Sequence, residues 1–198
     1  MNYLTLESFL EKVRFLANDN YQNQEVKHFL FSNSIKPSSL ATYYFWKSKG
    51  YTRNLVYRDN FCELLVICWS PGAISSIHGH EGQKCWVRVE QGTLQFQNYR
   101  EKNRRELMSE IVPSGKPMRA GSGYIDGPTD IHRVANPSIF ESATSLHLYI
   151  RPYNECDVFD PEKKLVQRIQ LQYDTCYGNH GSVNSGHCLR NIRPNKVS

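Results

Sequence analysis

The first fifty residues carry apolar side chains at helical spacing. After Thr5, a candidate N-cap, the apolar positions lie three and four residues apart: Leu6, Phe9, Leu10, Val13 and Ala17. A second helix is predicted over residues 23–32, and a third is predicted to begin at Pro37 and to end at Gly50. The pattern therefore predicts a small helical segment at the start of the chain.

After residue 50 the pattern changes to short runs rich in Val, Ile, Leu, Tyr and Phe, with turn residues between them. These runs lie at 52–58, 61–69, 85–91, 94–100, 121–125, 131–136 and 145–151. Residues 160–175 have room for one or two more strands, and the Gly-, Asn- and Ser-rich end predicts a flexible tail over 178–198. Many short strands are typical of a sandwich or barrel. We expect one domain over 1–198, with a helical part at 1–50 and a β-barrel at 51–177.

Composition and charge narrow the classes of function. Of the 198 residues, 39% are hydrophobic and 22% are charged, which are the proportions of a folded globular domain. The net charge is +5, but Arg190, Arg193 and Lys196 contribute three of these charges within 178–198, and removing them leaves +2. This excess is too small to indicate a nucleic-acid partner.

The chain shows no targeting or membrane signal. No segment approaches the roughly 20 apolar residues that cross a bilayer, and the N-terminus has acidic residues where a signal peptide carries basic ones. We therefore expect a cytoplasmic protein with no membrane partner, in which the six cysteines are reduced thiols. Cys62 and Cys68 share one face of the run 61–69 and are expected to be small core residues.

Three histidines are candidate metal ligands. His78 and His80 lie two residues apart, so on a strand they project from the same face. Two neutral imidazoles in this arrangement suit Fe, Zn, Cu or Ni, although a solvent-exposed strand would show the same spacing. His132 begins another short strand after a turn, from which it is positioned to complete a three-nitrogen site.

The run 145–151 separates polar from apolar residues completely. Ser145, His147 and Tyr149 alternate with leucine and isoleucine, so a hydroxyl, an imidazole and a phenol follow one another along one face. On the wall of a barrel these groups would form a hydrogen-bonded relay. A half-exposed edge strand with its polar face in water is the alternative, and the nearby histidines favour the relay.

Two spacings resemble the two sequence motifs of the cupins. The first is Gly72-x5-His78-x-His80-x4-Cys85-x6-Gly92. The second is Gly121-x10-His132-x3-Asn136, with Gly127 and Thr129 at its usual proline and glycine positions. A cysteine in place of the usual glutamate ligand, together with YTRNLV at 51–56 and SLHLY at 145–149, resembles cysteine dioxygenase. The resemblance runs from about residue 51 to 149 and extends more weakly over the helical start.

The resemblance implies a fold and a metal centre. The fold is an all-β cupin, a jelly-roll-like β-barrel, with a small N-terminal helical segment. His78, His80 and His132 are implied to hold one Fe(II). Cys85 is implied to form a thioether bond with Tyr149, which makes the pair a protein-derived cofactor.

The resemblance also implies a reaction and a substrate site. An enzyme of this kind converts L-cysteine and O2 into cysteine sulfinic acid (3-sulfinoalanine), a step of cysteine catabolism toward taurine. Arg53 is implied to bind the substrate carboxylate, with Tyr51 lining the same end of the pocket. Tyr149 and Cys85 are implied to act in catalysis, with Ser145 and His147 orienting the phenol. We expect a monomer with small-molecule partners, L-cysteine and O2.

Two other functions fit the same motifs. The first is dioxygenation of another small thiol such as 3-mercaptopropionate. The resemblance argues against it, because relatives with that activity have glutamine rather than arginine at the position that corresponds to 53. The second is a non-catalytic cupin that binds a small molecule. Relatives also commonly have consecutive prolines after the strand tyrosine, whereas this chain has Ile150-Arg151-Pro152. We therefore expect no cis peptide bond before residue 151 and a different pocket wall.

Overall fold

The N-terminal part combines helices with a short parallel strand pair. The structure is a computed structural model that describes residues 2–18, 23–103, 106–109, 118–119, 121, 123–126 and 131–184. Its first elements are β1 (Asn2–Leu4), α1 (Leu6–Asn18), α2 (Asn23–Ser32), β2 (Asn33–Ile35), α3 (Pro37–Leu40) and a 3-10 helix (Ala41–Tyr43). The Thr5 hydroxyl accepts a hydrogen bond from the Ser8 N–H at 3.3 Å, so Thr5 caps α1 as predicted.

The prediction of a third helix as far as Gly50 is wrong. Helix α3 ends at Leu40, and after one 3-10 turn the backbone of Tyr44 is extended. Beyond that point the carbonyls of Phe45 and Lys47 accept hydrogen bonds from the hydroxyls of Thr52 and Ser70, each at 2.5 Å. The chain leaves the helix because these carbonyls bond to the strands of the sheet instead of to helical N–H groups.

The described residues after Gly50 form the strands of two large sheets. These strands are β3 (Tyr51–Arg58), β4 (Cys62–Trp69), β5 (Ile77–His78), β6 (Lys84–Gln91), β7 (Thr93–Asn103), β8 (Glu106–Ser109), β9 (Met118–Arg119), β10 (Gly123–Asp126), β11 (Ile131–Ala135), β12 (Ala143–Ile150), β13 (Glu155–Asp160), β14 (Leu165–Gln170), β15 (Gln172–Cys176) and β16 (Asn179–Asn184). The region 160–175 thus holds β14 and most of β15, as predicted. Gly127 and Thr129 lie outside the described residues.

The two sheets face each other. One sheet has the order β10-β6-β12-β4-β3-β15-β16, and the other has the order β14-β13-β5-β11-β7-β8, with β9 paired to β7. Within the described ranges each sheet ends in edge strands, so the ladder is not closed into a complete barrel. The all-β architecture with a small helical segment is confirmed, as two open layers.

Two apolar cores lie on opposite faces of the first sheet. Between the sheets is an inner core that includes Leu65, Ile67 and Trp69 of β4 and Phe96 of β7. Between the first sheet and the helices is an outer core, to which β4 contributes Cys62, Leu64, Val66 and Cys68. Because β4 is buried on both faces, its sequence is almost continuously apolar. The helices therefore cover the outer face and leave the space between the sheets for the site.

The end of the described chain departs from the prediction in two respects. Strand β16 pairs antiparallel with β15 and lies within the segment 178–198 that was predicted to be flexible, while residues 185–198 lie outside the described residues. Cys176 forms a disulfide bond, so the expectation of six reduced cysteines is wrong. Cys62, Cys68, Cys85 and Cys156 are buried and are not part of a disulfide bond.

The helices are too short or too polar to cross a bilayer, as far as the described residues show.

Candidate metal centre

Three histidine side chains converge between the sheets. His78 on β5 lies directly opposite His132 on β11, and His80 follows His78 by two residues. Each ring offers one nitrogen, and these three nitrogens lie within 4.8 Å of one another. His80 and His132 are buried, with 2% of each side chain exposed. The arrangement brings together the three nitrogens predicted from the sequence, and imidazole nitrogens gathered in this way are ligands that suit a single Fe, Zn, Cu or Ni ion.

The protonation of His78 suits a metal ligand. Its Nδ1 lies 2.9 Å from the carbonyl oxygen of Ser76. A carbonyl only accepts, so Nδ1 carries the proton and Nε2 keeps its lone pair. Burial lowers the pKa of His78 well below its ordinary value, and the adjacent His132 and His80 lower it further. The ring is therefore a neutral imidazole.

Cys85 and Tyr149 are neighbours on adjacent strands. Cys85 on β6 lies directly opposite Tyr149 on β12, and both are buried in the inner core. Residues opposite each other in an antiparallel pair have Cβ atoms about 4.5–5.5 Å apart. The ring of Tyr149 also lies 5.7 Å from that of His80, measured between centroids. Among the described residues, the candidate metal ligands that converge are His78, His80 and His132. Cys85 is not one of them and lies beside the Tyr149 phenol instead.

A chain of hydrogen bonds leads along β12 to the Tyr149 phenol. The indole N–H of Trp69 donates to the Ser145 hydroxyl at 2.9 Å, which lies 2.8 Å from His147 Nε2. His147 Nδ1 lies 3.3 Å from the Tyr149 hydroxyl. Burial lowers the pKa of His147 well below its ordinary value, with Arg53 adding to the effect. A neutral imidazole donates through one ring nitrogen and accepts through the other, so the direction of the His147 bond to Ser145 fixes the direction of its bond to the Tyr149 hydroxyl. The predicted relay is present.

Arg53 is a largely buried cation next to these groups, with 14% of its side chain exposed. Its Nη2 lies 3.7 Å from Oε1 of Glu63, and its guanidinium carbon lies 5.9 Å from the centre of the Tyr173 ring. Burial alone would lower the pKa of Arg53, but the acidic groups of Tyr149 and Glu63 outweigh it and raise the pKa. Arg53 therefore stays charged. Tyr51, two residues earlier on β3, stacks on the Trp69 ring at 4.8 Å.

Tyr153 is a site residue that the sequence did not reveal. Its ring centre lies 5.6 Å from that of Tyr149 and 6.4 Å from that of His80. Burial raises its pKa well above the ordinary value, so the phenol stays protonated. The alternation of β12 ends at Ile150, and the positive φ of Arg151 (60°) turns the chain, so strand periodicity could not place Tyr153. The one feature of the sequence that points to Tyr153 is that an aromatic residue directly follows Pro152, close to the end of the strand that carries Tyr149.

Cys156 lies near this end of the site and is buried. Burial raises the pKa of its thiol to about 11. The thiol is therefore protonated at neutral pH.

Comparison with known proteins identifies the family. A family model described as cysteine dioxygenase type I matches residues 5–162. Cysteine dioxygenase type 1 from Rattus norvegicus is 31% identical over 166 residues, which cover 82% of each chain. The protein of the same name from Danio rerio is 30% identical over 178 residues, which cover 88% of each chain.

A solved structure shows the same fold. An uncharacterized conserved protein with a double-stranded beta-helix domain from Klebsiella pneumoniae superposes with a TM-score of 0.50 at 16% identity, covering 61% of this chain and 88% of that one. At this identity the likeness supports the fold alone, which is the cupin fold expected from the sequence. Because the family model spans most of the chain and the two relatives reach 30% identity over more than four fifths of it, the chain belongs to the cysteine dioxygenase type I family and is a dioxygenase.

Proposed function

We propose that this chain is an Fe(II)-dependent thiol dioxygenase that converts L-cysteine and O2 into cysteine sulfinic acid. The observation that carries the proposal is the convergence of three histidine nitrogens within 4.8 Å of one another. A largely buried, charged arginine and a hydrogen-bonded phenol lie beside them. A protein that only binds a small anion would need the arginine but neither the imidazoles nor the relay.

His78, His80 and His132 would hold the metal ion. Imidazole nitrogen suits Fe(II), and three neutral ligands leave the ion its full charge and open coordination positions. When bound, Fe(II) supplies the Lewis acidity that lowers the pKa of a substrate thiol and the redox capacity that dioxygen chemistry requires. Membership of the cysteine dioxygenase type I family favours iron over the other metals that imidazole accepts.

Arg53 would bind the substrate carboxylate. Within the described structure its buried Nε has no hydrogen-bond partner. Its Nη2 is 3.7 Å from Glu63, which is beyond hydrogen-bond range. The guanidinium therefore keeps donors for a planar carboxylate, which its forked geometry matches. Tyr51 would line the same end of the pocket.

Tyr149 would supply the hydroxyl closest to the reacting groups. His147 and Ser145 would set the direction of its hydrogen bond, which then points to the substrate. A thioether bond between Cys85 and Tyr149 would fix the ring in place. Its formation removes the thiol hydrogen and one ring hydrogen, a two-electron oxidation for which O2 is the oxidant.

The overall reaction joins both oxygen atoms to the substrate sulfur. The thiol R–SH and O2 give R–SO2⁻ and a proton, so sulfur loses four electrons and dioxygen gains them. The sulfinate is one stage above the sulfenic acid on the oxidation ladder of cysteine.

Oxygen uptake with a small panel of thiols tests the proposal. We expect the iron-loaded protein to consume one O2 per L-cysteine, with kcat/KM at least about tenfold above that for 3-mercaptopropionate, which lacks the amine. Zinc-loaded protein is the control and should consume none, because Zn²⁺ is redox-inert. Uptake only with 3-mercaptopropionate would overturn the choice of substrate. No uptake with either thiol would leave a non-catalytic metal-binding cupin.

A further inference from the structure

Behind Arg53 lies a buried cluster that the substrate would not touch. It consists of Arg58, Glu63 and Tyr173, whose exposed fractions are 5%, 2% and 1%. Glu63 Oε2 accepts a hydrogen bond from Arg58 Nη1 at 2.5 Å and another from the Tyr173 hydroxyl at 2.5 Å. Arg58 Nη1 also contacts that hydroxyl, and Arg58 Nη2 donates to Asn154 at 2.8 Å. Glu63 is therefore held tightly through one of its two oxygens.

A β-bulge brings Arg58 into this cluster. The register between β3 and β4 shifts between Leu55 and Tyr57, which places Arg58 directly opposite Glu63. Without the extra residue, strand alternation would put Arg58 on the opposite face from Arg53. The bulge thus places Arg58 on the same, inner face of β3 as Arg53. Tyr173 reaches the cluster from β15, which runs parallel to β3.

The other oxygen of Glu63 faces Arg53. The distance from Glu63 Oε1 to Arg53 Nη2 is 3.7 Å, so one carboxylate lies between two arginines. Strand β15 supports Arg53 in two further ways. The Tyr173 ring lies 5.9 Å from the guanidinium, and Asp174 accepts a hydrogen bond from the Arg53 backbone N–H at 2.8 Å. Tyr173 and Asp174 lie beyond residues 5–162, which the family model matches.

The charges of the cluster add up to one excess positive charge. Arg53 and Arg58 are cations and Glu63 is an anion, so a single substrate carboxylate would balance the site. If Glu63 had Arg53 as its one cationic partner, the pair would be neutral and the guanidinium would be drawn toward Glu63. The short bond to Arg58 competes for the carboxylate, and in a buried site such competition is strong.

We propose that Glu63 is a positioning residue for Arg53. Arg58 and Tyr173 hold the Glu63 carboxylate, so that it orients the Arg53 guanidinium without neutralising its charge. The cluster thereby selects thiols that carry a free carboxylate. The inference rests on the proposed function, because it assumes that Arg53 faces the substrate. It adds three residues to the account of specificity.

Binding measurements under anaerobic conditions test the cluster. The probes are L-cysteine and cysteamine, which has the same amine and thiol but no carboxylate, titrated into iron-loaded protein. We expect Arg58→Gln to raise the Kd of L-cysteine at least about tenfold, the usual cost of a lost charge-assisted contact, and to change the Kd of cysteamine less than about twofold. Arg58→Lys retains the charge and should restore most of the affinity for L-cysteine.

A buried arginine elsewhere provides the matched control. Arg88 has 1% of its side chain exposed, pairs with Glu90 at 2.6 Å and lies on the face of β6 that meets the helices. Arg88→Gln should lower thermal stability, as Arg58→Gln should, and should leave both Kd values unchanged. Tyr173→Phe keeps the ring and removes one support of Glu63, so it should raise the Kd of L-cysteine by about two- to threefold.

Three outcomes would overturn the proposal. The first is an unchanged Kd for L-cysteine in Arg58→Gln, or in Tyr173→Phe if the first variant does not fold. The second is an equal loss of affinity for both probes, which would mean a general structural role. The third is wild-type protein that does not prefer L-cysteine over cysteamine. Turnover of L-cysteine by the wild type is measured separately, so a failure of the proposed function is recognised independently of these binding results.

Discussion

At the scale of single residues, burial gives the side chains of the site their chemical character. Burial and two neighbouring imidazoles lower the pKa of His78, so the ring is neutral and able to bind a metal. Arg53 keeps its charge because Tyr149 and Glu63 raise its pKa against the effect of burial. The site therefore combines a neutral imidazole at His78 with a fixed cation at Arg53, which suits a substrate that brings its own negative charges.

The histidine set makes a first prediction. His132→Ala removes one of three nitrogens, so we expect bound iron to fall at least about tenfold, the size of effect that losing part of a metal site commonly produces. Iron per chain after purification and dialysis is the measurement. His28→Ala changes an exposed histidine of α2 and is the control. Iron content near the wild-type level in His132→Ala would contradict the ligand assignment.

Cys85 makes a second prediction. Cys85→Ser keeps the three histidines, so iron should remain bound, but the thioether with Tyr149 cannot form. Intact mass should then lack the loss of two hydrogens, and the crosslinked band on a denaturing gel should disappear. Cys156→Ser removes another buried thiol and should leave the crosslink in place. A crosslink that survives in Cys85→Ser would exclude the Cys85–Tyr149 bond.

The sequence revealed those site residues that regular strand alternation places. Ser145, His147 and Tyr149 share a face of β12, as predicted, whereas β5 ends at His78, so His80 reaches the same site from just beyond the strand. It did not reveal Tyr153 or Arg58, because a turn at positive φ places the first and a β-bulge places the second. Period-two reasoning fails wherever the chain departs from regular pleating.

At the scale of elements, local pattern predicted most helices and strands but not how they pair. The segment 23–32 forms α2 as predicted, whereas α3 ends at Leu40. Beyond α3 the carbonyls of Phe45 and Lys47 bond to the hydroxyls of Thr52, near the start of β3, and of Ser70, just after β4, so the path of this segment depends on the assembled sheet. The position of β15 beside β3, which supports Arg53, likewise depends on sheet order and leaves no local trace in the sequence.

The turn between β6 and β7 makes a third prediction. Gly92 has φ +71°, and a Cβ there would lie 2.6 Å from the Ser142 carbonyl oxygen and 2.9 Å from the Ala143 Cβ. Gly92→Ala should cost about 1–2 kcal/mol for the left-handed backbone and a further ~1–3 kcal/mol for the collision. Thermal unfolding measures the loss.

Gly72 provides the control for this prediction. It has the same φ of +71°, but a Cβ at this position would meet no atom within 4 Å. Gly72→Ala should therefore cost only the backbone part, about 1–2 kcal/mol or a few degrees in Tm. Equal losses of stability in the two variants would show that the close approach to Ser142 and Ala143 adds nothing to the cost of Gly92→Ala.

At the scale of the whole molecule, the two cores explain why the site lies between the sheets. The helices and the outer face of the first sheet bury one core, so the polar face of β12 is directed into the space shared with the second sheet. Composition and strand spacing were enough to predict this all-β organisation. They were not enough to predict that the sheets are open, because sheet order depends on which distant segments pair, and they gave no sign of the disulfide of Cys176.

The proposed reaction transfers both atoms of O2 to the sulfur of L-cysteine. The most direct measurement is the mass of the product formed by iron-loaded protein from L-cysteine under ¹⁸O2. We expect the product to be cysteine sulfinic acid in which both sulfinate oxygens are labelled. A product with one labelled oxygen, or unlabelled cystine as the main product, would contradict it.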